Sequence, residues 1–124
     1  MSRAAASGYY VEPTLLVEVN NAMNIAQQDV LGPVLAVIAH GGGDAVGRIA
    51  NDSTCGLSGS VFSALPERAM GIAGCIRAGS MSVNGSACYD ADAPYGGYEA
   101  SGIGRQNGIR RLRLAHRGQV LGRT

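Results

Sequence analysis

The sequence predicts an α/β fold: a partial doubly wound parallel sheet in the order β-α-β-α-β, followed by a loop-rich C-terminal tail. Three observations carry this. Apolar runs of strand length alternate with segments of helical period. One of them, VLAVIA at 34–39, is apolar on both faces, as a buried parallel strand is. The connections between elements are short, which suits right-handed crossovers. With 124 residues there is room for one domain, able to bury roughly two thirds of its unfolded surface.

The elements follow in order. Residues 9–19, YYVEPTLLVEV, form an extended segment that Pro13 keeps away from the centre of a sheet. Asn21 is placed to cap a helix over 22–30, with Met23, Ala26 and Val30 on one face, and Gly32-Pro33 stops it. After the VLAVIA strand come His40 and three glycines. Asp44 then caps a helix carrying Ala45, Val46, Ile49 and Ala50 at helical spacing, and Gly56 ends it. LSGSVFS at 57–63 is the next strand. The best-formed helix has Pro66 in its first turn with Glu67 beside it, an apolar stripe of Leu65, Ala69, Ile72, Ala73 and Ile76, Arg77 near its end and Gly79 just past it. SMSVN supplies a third strand, and Asn84-Gly85 turns the chain. Two main helices over three strands leave part of the sheet or an edge uncovered, so the chain reads as a segment of something larger.

Composition narrows the function classes. The chain is 46% hydrophobic and 15% charged, a globular balance, and no run approaches the ~20 apolar residues a bilayer helix needs. No signal-peptide core opens the sequence, so a cytoplasmic protein without a membrane partner is expected. Cys55, Cys75 and Cys88 match neither a disulfide framework nor a paired-cysteine zinc site, and His40 and His116 have no ligand at metal spacing; no metal is expected. Asn51-Asp52-Ser53 and Asn84-Gly85-Ser86 are chance glycosylation sequons in that compartment. All ten basic residues are Arg, which excludes a Schiff-base lysine. Beyond the last acid, Glu99, stand Arg105, Arg110, Arg111, Arg113, Arg117 and Arg123. This tail has no interleaved aromatics or binding motif, so a solvated or partner-facing surface is expected rather than a nucleic-acid site.

Two catalytic signatures are incomplete. His40-Gly41-Gly42-Gly43 copies the glycine-rich oxyanion loop of esterases, but Gly56-Leu57-Ser58-Gly59-Ser60 lacks the closing glycine of a nucleophile elbow. Gly102-Ile103-Gly104, with Asn107 and Gly108, almost spells a dinucleotide fingerprint. Its last glycine is one place late and no strand precedes it.

What remains occurs as an ordered set: GYYVEPT (8–14), IAQQDVLGPVLAV (25–37), RIANDSTCGLSGSVFS (48–63), RAGSMSVNG (77–85) and APYGGYEASGIGRQNG (93–108). In sequence and spacing these resemble the C-terminal part of the catalytic domain of the aldehyde dehydrogenase superfamily. The likeness covers 8–109. The chain is thus expected to be one partial catalytic-domain segment, with 1–7 disordered and 110–124 an Arg-rich tail.

The resemblance implies a chemistry. Family members oxidise aldehydes to carboxylic acids with NAD or NADP: a cysteine thiolate attacks the carbonyl, hydride passes to the nicotinamide, and an activated water hydrolyses the thioester. The family motif EEIFGPV places Asp29 where a glutamate holds the nicotinamide ribose and Leu31 where a phenylalanine packs near the ring. Ionised Asp offers two oxygens to hydroxyl donors but is one methylene shorter, so contact needs a small shift or a bridging water. The loop after Asn84 resembles the family's substrate-tunnel loop, with Tyr89 and Tyr95 at aromatic positions that suit an apolar aldehyde tail. The family's nucleophilic cysteine, general-base glutamate and oxyanion asparagine lie upstream and have no counterpart here; none of the three cysteines aligns with the nucleophile. No catalytic residue is therefore assigned. The chain is expected to be inactive alone, to meet an aldehyde only when complemented by an N-terminal aldehyde dehydrogenase chain, or to join a homo-oligomer. The Arg-rich tail, where the family often has acids, puts standard oligomerisation in doubt; the alternative is a non-catalytic module that uses this tail for a partner.

Overall fold

The computed structural model describes residues 8–86 and 89–108, together with the backbone of 120–123. The expectations for residues 1–7, for Cys88 and for most of the Arg-rich tail fall outside the described residues. The architecture is α/β with every strand pair parallel. The chain divides into two compact units, 1–41 and 42–124.

The first unit holds β1 (Thr14–Leu16), α1 (Asn24–Gln27) and β2 (Val34–Ala36). β1 begins directly after Pro13 and pairs with β2 in the register Thr14↔Val34 to Leu16↔Ala36. The Thr14 N–H donates to the Pro33 carbonyl at 2.8 Å and the Val37 N–H to Leu16 at 2.8 Å. The helix expected over 22–30 is a single turn, 24–27, and Asn21 does not cap it: Met23 is the N-cap, with no side-chain bond. Asn20 instead accepts the Ala22 N–H on its Oδ1 at 3.0 Å, a local turn that competes with an earlier helix start. VLAVIA is a strand over three residues only, and one face is open, with Leu35 63% and Leu15 59% exposed. Val19 is the one buried apolar side chain among this unit's described residues.

The second unit contains α2 (Gly43–Asn51), β3 (Ser58–Val61), α3 (Pro66–Cys75), β4 (Ser80–Val83) and β5 (Val120–Arg123). The sheet order is β3-β4-β5, so β4 is central. The sheet expected from 34–39, 57–63 and 80–84 is thus replaced by two sets of pairings, β1–β2 and β3–β4–β5. Order and direction follow from hydrophobic period and loop length, whereas partner choice depends on which segment offers a free edge.

Asp44 sits inside the first turn of α2 and Gly42 is the N-cap; an acid there still favours the positive end of the helix dipole. α3 starts at Pro66 as expected, and its small face, Ala69 and Ala73, is fully buried against Ala78, Met81 and Val83. Leu65 and Arg77 lie outside the helix, Leu65 as its N-cap and 62% exposed. Burying Met81 and Val83 contributes about 1.5–3 kcal/mol each. β4 is buried at all four positions, serines included. The Ser82 hydroxyl is satisfied by Ser60 Oγ at 2.7 Å and the Gly85 carbonyl at 3.1 Å, which is how a polar residue is tolerated in a central strand. Gly59, opposite Met81, leaves room for its sulfur: a Cβ there would stand 2.9 Å from Sδ.

Candidate functional site

Asp29 lies two residues beyond the end of α1, in irregular chain leading to Pro33. It is exposed and its carboxylate makes no hydrogen bond or ion pair among the described residues, so both oxygens are open to donors. Because α1 ends at Gln27 and is one turn long, Asp29 is not a helix-end charge. Leu31 is 97% exposed, held between the Gly32 N–H to Val30 carbonyl bond at 3.0 Å and that of Val34 to Gly32 at 2.8 Å. The tight turn holds Leu31 outward; it supplies an apolar surface without a flat ring.

The second candidate pair belongs to the other unit. Tyr89 and Tyr95 are brought together edge to face, ring centroids 5.3 Å apart and planes at 64°, the arrangement aromatic quadrupoles favour. Tyr95 is fixed by its backbone: its N–H donates to Gln106 at 2.8 Å and its carbonyl accepts from Gln106 at 2.7 Å. The return is made by Asn107 and Gly108, at φ +60° and +68°, and closed by the Gly108 N–H on the Ala91 carbonyl at 3.1 Å. Tyr89 is 66% exposed and leans on this frame.

Three tethers dock the 94–106 loop. The Tyr98 N–H donates to Gly56 at 3.0 Å, the Ala100 N–H to Thr54 at 3.1 Å, and Ser101 Oγ accepts the Gly56 N–H at 2.9 Å. Gly79 is buried under the Gly96 carbonyl, where a Cβ would overlap it. At the other end of β4, Asn84 adopts φ +55° and its amide bridges Ser63, accepting from its N–H at 2.8 Å and donating to its carbonyl at 3.0 Å. Arg77 ties Asn51 and Glu99 together, with an Nη2–Oε1 distance of 3.0 Å to the carboxylate.

Sequence reasoning missed Tyr98 and Arg105 as organisers of this loop, and it missed the bridges that Asn51 makes to Cys75 and Arg77 and Asn84 to Ser63. Arg105 lies over the Tyr98 ring at 5.2 Å and donates from Nη1 to the Gly97 and Gly104 carbonyls. GYEASGIGR did carry a signal, since its glycines permit close approach, but Gly102-Ile103-Gly104 forms a loop after a 3₁₀ turn at Glu99–Ser101, and no helix follows it among the described residues up to 108.

The aldehyde dehydrogenase family model matches residues 2–116. The chain belongs to the aldehyde dehydrogenase family. It is 40% identical over 113 residues to betaine aldehyde dehydrogenase of Brucella melitensis, a match covering 91% of this chain and 23% of the relative. The betaine aldehyde dehydrogenase of Staphylococcus aureus in complex with NAD+ superposes with a TM-score of 0.83 at 36% identity, over 90% of this chain and 23% of that one. An indole-3-acetaldehyde dehydrogenase of P. syringae in complex with NAD+ and IAA gives 0.78 at 41% identity, over 85% and 21%. This member of the family therefore spans about a quarter of the length of the relatives it matches. Among the described residues, no helix is long and apolar enough to cross a membrane.

Proposed function

We propose that the chain is the C-terminal part of an NAD(P)-dependent aldehyde dehydrogenase catalytic domain, contributing cofactor and aldehyde contacts to a reaction whose nucleophile lies on other residues. The observation that carries this is the family match across residues 2–116, with relatives that hold NAD+. Asp29 fits a ribose-binding role: an exposed carboxylate with both oxygens open accepts from a pair of adjacent hydroxyls. Leu31 covers the same neighbourhood with an apolar surface. When bound, the nicotinamide supplies the hydride acceptor; this chain's residues bind and orient. Tyr89 and Tyr95 form an aromatic wall that would exclude water from an aldehyde tail. The partner is an aldehyde dehydrogenase chain that carries the cysteine and the general base, and the substrate is a small aldehyde.

The test is complementation. The chain is co-purified with the complementary N-terminal portion of a homologous aldehyde dehydrogenase, and NADH formation from aldehyde is followed by absorbance. Activity is expected from the pair and not from either part, and Asp29→Asn is expected to raise the KM for NAD about tenfold, the loss of one charged hydrogen-bonding partner. If the pair co-purifies but produces no more NADH than the N-terminal portion alone, the assignment is overturned.

A further inference from the structure

Two Asn-Gly pairs bracket the segment that carries Tyr89 and Tyr95: Asn84-Gly85 directly after β4, and Asn107-Gly108 directly after the Gln106 bridge. Both asparagines are in the left-handed region, at φ +55° and +60°. Asparagine before glycine is a reactive setting for the amide, because no side chain on the following residue shields its backbone nitrogen from the asparagine Cγ.

The structure restrains the two pairs in different ways. Asn84 is exposed, and its amide extends the β3–β4 ladder by one rung, accepting the Ser63 N–H at 2.8 Å and donating to the Ser63 carbonyl at 3.0 Å. Among the described residues nothing accepts the Gly85 N–H, while the Gly85 carbonyl is held by Ser82 Oγ at 3.1 Å. At this pair the nucleophile is free and the electrophile is tied. At Asn107 the attacking nitrogen is the tied partner: the Gly108 N–H donates to Ala91 at 3.1 Å, and a Cβ on Gly108 would stand 2.7 Å from the Asp92 carbonyl oxygen. Freeing Asn84 takes a side-chain rotation, whereas freeing Gly108 takes a displacement of packed backbone.

We propose that Asn84-Gly85 is a self-modification site, where the chain converts its own amide to an acid at a rate set by the Ser63 bridge. The Gly85 nitrogen gives its proton to solvent base and bonds to Asn84 Cγ; the Cγ–Nδ2 bond breaks, ammonia leaves and a succinimide closes. Water then opens the ring at either carbonyl, leaving aspartate or, with the main chain running through Cγ, isoaspartate. One water enters, one ammonia leaves, and nothing is oxidised or reduced. The aspartyl product keeps an acceptor for the Ser63 N–H but sets an oxygen against the Ser63 carbonyl, where Nδ2 had donated. The isoaspartyl product lengthens the main chain by a methylene at the start of the segment leading to Tyr89.

The test follows the whole chain at mildly alkaline pH, folded and in guanidinium chloride, by tryptic mapping. Ala78–Arg105 carries Asn84 as its one side-chain amide and Gln106–Arg110 carries Asn107, so the two sites are read separately. Slow exchange of the Met81 and Val83 amides marks the folded sample. There Asn84 should convert ahead of Asn107, with isoaspartate detected by enzymatic methylation, and roughly five- to a hundredfold more slowly than in guanidinium, the factor for opening two hydrogen bonds. Gly85→Ala, which shields the attacking nitrogen, should slow the step in both samples. The proposal is overturned by an absence of conversion at Asn84 in the folded chain, by conversion of Asn107 first, by a folded rate no lower than the unfolded one, or by a rate untouched in Gly85→Ala.

Discussion

Replacing Gly79 by Ala should release the 94–106 loop while leaving the β4 core in place. A Cβ at 79 would fall on the Gly96 carbonyl oxygen, 2.7 Å from its carbon and 3.2 Å from the Leu57 carbonyl oxygen. All three atoms are backbone, so no side chain can rotate away. Moving Gly96 outward breaks the tethers that begin two residues later: Tyr98 to Gly56, Ala100 to Thr54 and Gly56 to Ser101. At about 0.5–1.5 kcal/mol for each hydrogen bond, the loss is roughly 1.5–4.5 kcal/mol. Hydrogen exchange reads this directly. The Tyr98, Ala100 and Gly56 amides should exchange faster by roughly ten- to a thousandfold, because each 1.4 kcal/mol is about a factor of ten. The Met81 and Val83 amides, in the central strand, should change far less. Unchanged exchange at Tyr98 and Ala100 in a folded Gly79→Ala protein would show that the loop is not held by this close approach.

The other expectations use the same loop and its supports. Gly71→Ala, at a position within α3 where a Cβ meets nothing, should stabilise the chain by about 0.5–1 kcal/mol in urea denaturation, the reverse of Gly79→Ala. Asn51 accepts the Arg77 N–H at 2.6 Å and donates to the Cys75 carbonyl at 2.8 Å, closing the C-terminal end of α3. Asn51→Ala should cost about 1–3 kcal/mol by the same measurement. Glu99→Gln, which removes one partner of an ion pair 45% and 42% exposed, should cost less than about 1 kcal/mol and less still in high salt. A larger effect for Glu99 than for Asn51 would reverse the ranking drawn from their geometry.

Much of this fold is legible in the sequence because it depends on neighbours along the chain. Pro66, Glu67 and the alanines mark α3 with a proline start, an early acid and a small apolar face, all local properties. α1 is the counterexample. Its apolar positions suit nine residues, yet one turn forms, because a helix of that length needs a packed face and no residue of α1 is buried. Tyr89 and Tyr95 were identified by resemblance; their edge-to-face contact depends on the Gln106 bridge, a pairing across the loop that no spacing rule announces. Arg105 stayed hidden for the opposite reason. In the sequence it is the first of a run of arginines, and only the carbonyls of Gly97 and Gly104 distinguish it from a solvated charge.

The two units differ in what they can stabilise from within. The second has a continuous apolar set, Ala69, Ala73, Ala78, Met81 and Val83, and a loop tethered by backbone hydrogen bonds. Among its described residues the first has one buried apolar side chain, a two-stranded sheet of three residues per strand, and Leu15, Val17, Leu31, Leu35 and Val37 exposed. A two-stranded sheet with an open apolar face is marginal in water, so the Tyr89–Tyr95 pair rests on the stronger support. Asp29 sits on the weaker one, and the ordering of its segment is then part of the free energy of any contact it makes. Binding at Asp29 should accordingly be weak until the apolar face of β1 and β2 is covered, because the entropy of fixing residues 29–33 opposes the gain from two hydroxyl contacts.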